Sequence, residues 1–178
     1  MKHISSHRII LTVIFFISAL LLTWPMQTGA QTRGVTNDTI LIGSYQSLSG
    51  PMATLSLVGK GADAYFQMVN QRGGIHGRKI RYIMEDDQYQ TARTVSAVKK
   101  LVERDGVFAL VGGMNVAGAL ATLDYAEGKK VIQIAGMGAS KLVFPPRQHF
   151  FSIRPASYVT GLFMGQYALD NLKGKRIG

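Results

Sequence analysis

The chain has 178 residues, a formal net charge of +10 and no cysteine, which excludes a disulfide framework and a lipid-anchoring cysteine and leaves stability to a packed core. The basic residues fall in small groups at turns and element ends, such as Lys99 with Lys100 and Lys129 with Lys130, where cations complement helix dipoles. A nucleic-acid surface would cluster them and interleave aromatics, so no nucleic-acid partner is expected.

Residues 1–30 read as a secretory signal peptide. Lys2 and Arg8 make a basic start, and residues 9–22 are apolar apart from Thr12 and Ser18. Pro25 stops the helix, and Thr28, Gly29 and Ala30 supply small residues for cleavage. The apolar run is shorter than the ~20 residues a membrane span needs. The expectation is cleavage after Ala30 and a periplasmic product without a lipid anchor.

Residues 38–45 read as a buried strand, with Ile40 and Ile42 on one face, ended by Ser49-Gly50-Pro51. Residues 57–70 read as an amphipathic helix whose stripe is Val58, Ala62, Tyr65, Phe66 and Val69. Gly73-Gly74 should close it in the left-handed conformation. Residues 79–85 form a second strand, and Asp86-Asp87 read as a turn that ends it and caps the next helix. That helix should run over 91–104, with Val95, Val98, Leu101 and Val102 inward. Residues 107–111 form a continuous apolar strand, covered on both faces. A third helix follows over 116–126, a fourth strand over 131–135, and a loop over 136–148. Residues 149–154 read as a fifth strand and 158–172 as a last helix. Lys173-Gly174-Lys175-Arg176-Ile177-Gly178 then read as the opening of a further strand.

This alternation implies βαβ units, a parallel sheet and helices on both faces. In such sheets ligands bind beyond the carboxyl ends of the strands. Four loops qualify, at 46–51, 86–89, 112–115 and 136–140. Their glycines would let a ligand approach the backbone, whose N–H groups can hold an anion. The same loops also suit plain tight turns. Met114 and Met137 fall in them and suit an adaptable apolar pocket. Chemistry of other kinds finds no support. Gly136-x-Gly138 has no third glycine in register, position 141 being Lys141, and no phosphate loop occurs. His76 and His149 have no partner at ligand spacing, so no metal, cofactor or catalytic residue is expected.

Leu48-Ser49-Gly50-Pro51, Gly59-Lys60-Gly61 and Val69-Asn70-Gln71-Arg72-Gly73-Gly74-Ile75-His76-Gly77-Arg78-Lys79-Ile80 resemble the leucine/isoleucine/valine-binding protein family. These are the periplasmic receptors of branched-chain amino-acid ABC importers. The resemblance continues through Glu85-Asp86-Asp87-Gln88-Tyr89, Lys100-Leu101-Val102, Val111-Gly112-Gly113, Gly138-Ala139-Ser140-Lys141 and Arg154-Pro155-Ala156-Ser157-Tyr158. It implies an α/β, type I periplasmic binding protein lobe, with the second lobe truncated. Residues 31–155 would be the first ligand-binding lobe, and 156–178 the crossover helix and the start of the second.

The resemblance also implies a clamp that traps a small ligand, an amino acid or related organic acid, and delivers it to a membrane ABC permease. The ligand carboxylate would be held by loops after the third and fourth strands. The matching positions are Asn115, Val116, Gly136, Met137, Gly138, Ala139 and Ser140, to which Tyr158 is added. Val116 stands where the family usually carries Ser or Thr, and Met137 where a small or hydroxylated residue is common. Both departures favour a larger or more apolar organic acid, such as an aromatic acid. Two other readings stay open: a ligand-sensing domain of a receptor or regulator, and a nucleotide-dependent α/β enzyme.

Overall fold

The computed structural model describes residues 32–171, so the expected signal peptide and the strand opening at 173–178 lie outside the described residues. Five strands form one parallel sheet: β1 (Thr39–Gln46), β2 (Lys79–Asp86), β3 (Ala109–Val111), β4 (Ile132–Ala135) and β5 (Phe150–Ser152). Their spatial order is β2-β1-β3-β4-β5. β1 and β2 pair over their whole length, from Thr39 opposite Lys79 to Gln46 opposite Asp86. The helices are α1 (Leu57–Gln71), α2 (Thr91–Lys99), α3 (Val116–Gly128), the single turn α4 (Ser140–Val143) and α5 (Ser157–Asn171). Among the described residues no helix is long and apolar enough to cross a membrane.

Apolar periodicity explains the packing. α2 and α3 cover one sheet face. Val98, Leu101, Val102, Ala119 and Leu123 pack there with Tyr45, Leu110, Ala135 and Phe150 in one buried cluster. α1 covers the other face over β1 and β2. Phe66 meets Tyr82 edge to face at 5.2 Å. Asn70 clamps strand β2 by accepting from the Ile80 N–H and donating to the Ile80 carbonyl, both at 2.7 Å. Gly73 and Gly74 close α1 at φ of 106° and 82°, as expected.

Three local features depart from the sequence reading. The helix expected over 91–104 is α-helical only to Lys99, and Lys100–Arg104 is a π turn, closed by Asp105 N–H to the Lys100 carbonyl at 3.0 Å. Five residues are too few for apolar spacing to distinguish the two helix types. Val58 and Tyr65, both expected on the core face of α1, are 39% and 60% exposed, because α1 rests its Phe66 side on β2 instead. The loop over 136–148 contains the turn α4.

The sheet is also covered unevenly. The pairing puts Val111, Ile134 and Phe151 in one row on the α1 face. Coverage thins along that row, where Ile134 is 37% and Phe151 52% exposed. α5 buries none of its residues, and Leu162, Phe163, Met164 and Tyr167 along it are exposed.

Candidate functional site

The carboxyl ends of β1, β2 and β3 are tied together by two adjacent carboxylates. Asp86 Oδ1 accepts from the N–H groups of Leu48 at 2.9 Å, Ser49 at 3.3 Å and Gln88 at 3.1 Å. Its Oδ2 accepts from the Ser49 hydroxyl at 2.5 Å. Burial alone would raise its pKa, but the bonds from Ser49, Gln88 and Leu48 outweigh burial and hold the carboxyl below its usual range.

Asp87 is fully buried. Its Oδ1 accepts from the Ser47 hydroxyl and the Tyr89 N–H, both at 2.8 Å. Its Oδ2 accepts from the Thr94 hydroxyl at 2.8 Å and from Asn115 Nδ2 at 3.3 Å. The expected capping role is therefore corrected. The N-cap of α2 is Gln90, with no side-chain cap, and Asp87 bonds instead to the Thr94 side chain and to the residue that caps α3. This network of Ser47, Asp87, Thr94 and Asn115 was missed in the sequence, since its members lie up to 68 positions apart and only the fold brings them together.

Asn115 caps α3 by accepting from the Gly118 N–H at 3.0 Å, and its Nδ2 also donates to the Thr94 hydroxyl at 3.0 Å. The Ala119 N–H bonds the Asn115 carbonyl. The first-turn N–H groups of Val116 and Ala117 are the ones that helix geometry leaves without an intrahelical acceptor. They carry the positive end of the α3 dipole. The Val116 side chain is half-buried and packs on the core. Close packing fixes this corner. A Cβ on Gly113 would sit 2.3 Å from the Tyr45 ring, and one on Gly118 2.3 Å from Thr94 Oγ1. Burial first, then the Asp87 charge, push the Tyr45 hydroxyl pKa well up, so Tyr45 stays neutral.

The loop over 136–140 lies next to this corner. A Cβ on Gly136 would meet Met114 Sδ at 2.8 Å, and one on Gly138 would meet the Pro155 carbonyl at 2.1 Å. Met137 is corrected in one respect: its side chain is a buried core residue and does not line a surface. Ala139 is the N-cap of α4 and makes no side-chain cap. Ser140 Oγ accepts from the Tyr158 N–H at 3.3 Å. Tyr158 is half-exposed and meets Phe144 edge to face at 5.5 Å. The structure thus joins Gly136, Gly138, Ala139, Ser140 and Tyr158 along one rim, beside Val116 at the head of α3. It turns the side chains of Asn115 and Met137 inward. Phe144 belongs to the rim and was missed, because a lone aromatic in a loop has no distinguishing pattern. Among the described residues no group of three His, Asp or Glu side chains gathers as a metal site would.

Known proteins are similar to this chain in sequence and in fold. Leu/Ile/Val-binding protein homolog 3 of Brucella melitensis is 27% identical over 140 residues, covering 78% of this chain and 38% of that protein. A fatty acid ABC transporter substrate-binding protein from Thermomonospora curvata superposes with a TM-score of 0.73 at 25% identity, covering 82% of this chain and 37% of the other. A branched-chain amino acid transporter substrate-binding protein from Streptococcus pneumoniae, in complex with isoleucine, gives a TM-score of 0.69 at 25% identity, covering 76% of this chain and 39% of the other. The chain therefore spans about two fifths of the length of the relatives it matches. The Periplasmic binding protein family matches over residues 39–178, through the sheet, the capped α3 and the glycine-rich rim, and the chain belongs to that family.

Proposed function

We propose that this chain supplies one wall of an extracytoplasmic solute-binding receptor, which captures an amino acid or a related small organic acid and delivers it to a membrane ABC permease. Residues 31–155 are the lobe, and 156–178 lead out of it. The observation that carries the reading is the head of α3. Asn115 caps it, Asp87 and Thr94 hold Asn115, and the Val116 and Ala117 N–H groups remain for an anion. The glycines at 136 and 138 let the adjacent loop pack closely, since a Cβ there would strike Met114 Sδ or the Pro155 carbonyl. The two superposed proteins are described with a fatty acid and with isoleucine, both of which join a carboxylate to an apolar body.

The chemistry asked of this wall is binding and orientation. The carboxylate takes N–H donors and a helix dipole, and the apolar body lies on the rim. The test is a heteronuclear NMR titration of the purified protein with L-leucine and with isovalerate. The expected result is saturable movement of the amides of Val116, Ala117 and residues 136–140, strengthened in Val116→Thr, which adds a hydroxyl. Titration that leaves those amides still while moving others would sink the assignment.

A further inference from the structure

β1 and β3 pair at only two positions, Ile42 with Ala109 and Gly43 with Leu110, and then part, while β1 runs on beside β2 to Gln46. Side chains span the opening. Gln46 Nε2 donates to the Gly112 carbonyl and to the Ser44 hydroxyl, both at 2.8 Å. The Tyr82 hydroxyl donates to the Val111 carbonyl at 3.1 Å. The Gly112 N–H donates to the Ile134 carbonyl at 2.8 Å. Gly112 is thus held from β1 on one side and from β4 on the other. There, at a φ of 88°, the chain leaves the sheet for Asn115, the cap of α3.

Gln46 is 1% exposed, and its Oε1 has no partner among the described residues. Turning the amide over would set two carbonyl oxygens against each other, so the Gly112 carbonyl fixes its orientation. α1 closes over the amide: a Cβ on Gly59 would lie 2.7 Å from Gln46 Cδ. A buried acceptor without a partner is destabilising, and an apolar side chain of similar length would fill the space without it. Filling space therefore does not account for a glutamine here, whereas the two bonds from its Nε2 do.

We infer that Gln46 is a positioning residue for the ligand wall: its amide fixes the Gly112 carbonyl where β1 and β3 part, directs the 112–115 loop, and so aims the Val116 and Ala117 N–H groups at the ligand carboxylate. The inference rests on the reading of the α3 head as part of that wall. Asp87 and Thr94 hold the far end of the loop through Asn115, and Gln46 holds its near end.

The test variant is Gln46→Met, which keeps length and removes both the donor and the unpartnered acceptor. Its melting temperature should hold or rise. The amides of residues 113–117 should shift in the ligand-free protein, and L-leucine affinity, followed by amide titration, should fall about two- to tenfold. In the parent protein a scalar coupling across the hydrogen bond should join Gln46 Nε2 to the Gly112 carbonyl carbon. Absence of that coupling would overturn the inference whether or not the variant folds. So would unchanged affinity in Gln46→Met, or an affinity loss matched by a fall in melting temperature with amide shifts spread through α1 and β2, which is the mark of a packing residue. Each of these leaves the wall standing. L-leucine that fails to move Val116, Ala117 and residues 136–140 in the parent protein would overturn the wall, and this inference with it.

Discussion

Asp87 carries a buried carboxylate with four hydrogen-bond donors, and no basic side chain among the described residues forms an ion pair with it. Hydrogen bonds to a charged group are the strong ones, and removing the acceptor strands every donor. Asp87→Ala is therefore expected to cost about 3 kcal/mol, since Ser47, Thr94 and Asn115 lose a buried partner together. Asn115→Ala removes the α3 cap and one of the donors, and should cost about 1–3 kcal/mol. Urea denaturation checks both, and a cost below about 0.5 kcal/mol for Asp87→Ala would mean the network is incidental. Asp86 adds a pH signature. Its folded pKa lies below the unfolded value, so its contribution is present above that value, near pH 4, and is lost as pH falls through the folded pKa. Asp86→Asn should flatten the acid side of the stability profile, and an unchanged profile would show that the carboxylate contributes nothing.

At the scale of elements, two helical glycines make opposite predictions. Glycine in a helix interior usually costs about 1 kcal/mol against alanine. Gly161 in α5 has nothing within 4 Å of a built Cβ, so Gly161→Ala should stabilise that helix by up to about that amount. Gly118 in α3 offers the same gain in propensity. There, however, a Cβ would lie 2.3 to 2.6 Å from three atoms of Thr94, a buried residue tied to Asp87. Overpacking of that kind costs about 1–3 kcal/mol and outweighs the propensity. Gly118→Ala should lower the melting temperature and Gly161→Ala should not, and a stabilised Gly118→Ala would show that α2 and α3 separate easily. The elements themselves were legible to within a few residues, because each is a local apolar period closed by Gly, Pro or Asp. The π turn and α4 were not, since a single turn contains too few residues to show a period.

For the whole molecule, uneven coverage of the sheet has a consequence in solution. Phe151 and Ile153 on the β5 side and the apolar residues of α5 are exposed together in one chain. Exposed apolar patches of this kind promote association. Phe151→Ser with Ile153→Lys should reduce self-association in light scattering, and equal scattering would place the sticky surface elsewhere. Binding by residues 31–178 alone should also be weaker than micromolar, since well-bound small ligands are about 70–90% buried and one wall leaves most of a ligand in water. Calorimetry with L-leucine and benzoate checks this, and micromolar affinity would show that one wall suffices. N-terminal sequencing of exported protein should begin at Gln31, and an intact Met1 terminus in the membrane fraction would reject the signal-peptide reading.

The sequence by itself determined the order of elements, the parallel βαβ build and the family. Those rest on patterns read within a dozen residues and on motifs such as Asn70 to Ile80, where the Asn70 side chain binds the Ile80 backbone. Of the rim, the glycines and Ser140 could be placed from strand-end position alone. Tertiary structure decided the rest. The order β2-β1-β3-β4-β5 depends on which strands meet through space, which local periodicity does not encode. The inward turn of Met137 and Asn115 and the meeting of Phe144 with Tyr158 have the same origin. A residue's type sets what it can bond to, but only the fold decides which partner lies within about 3 Å of it.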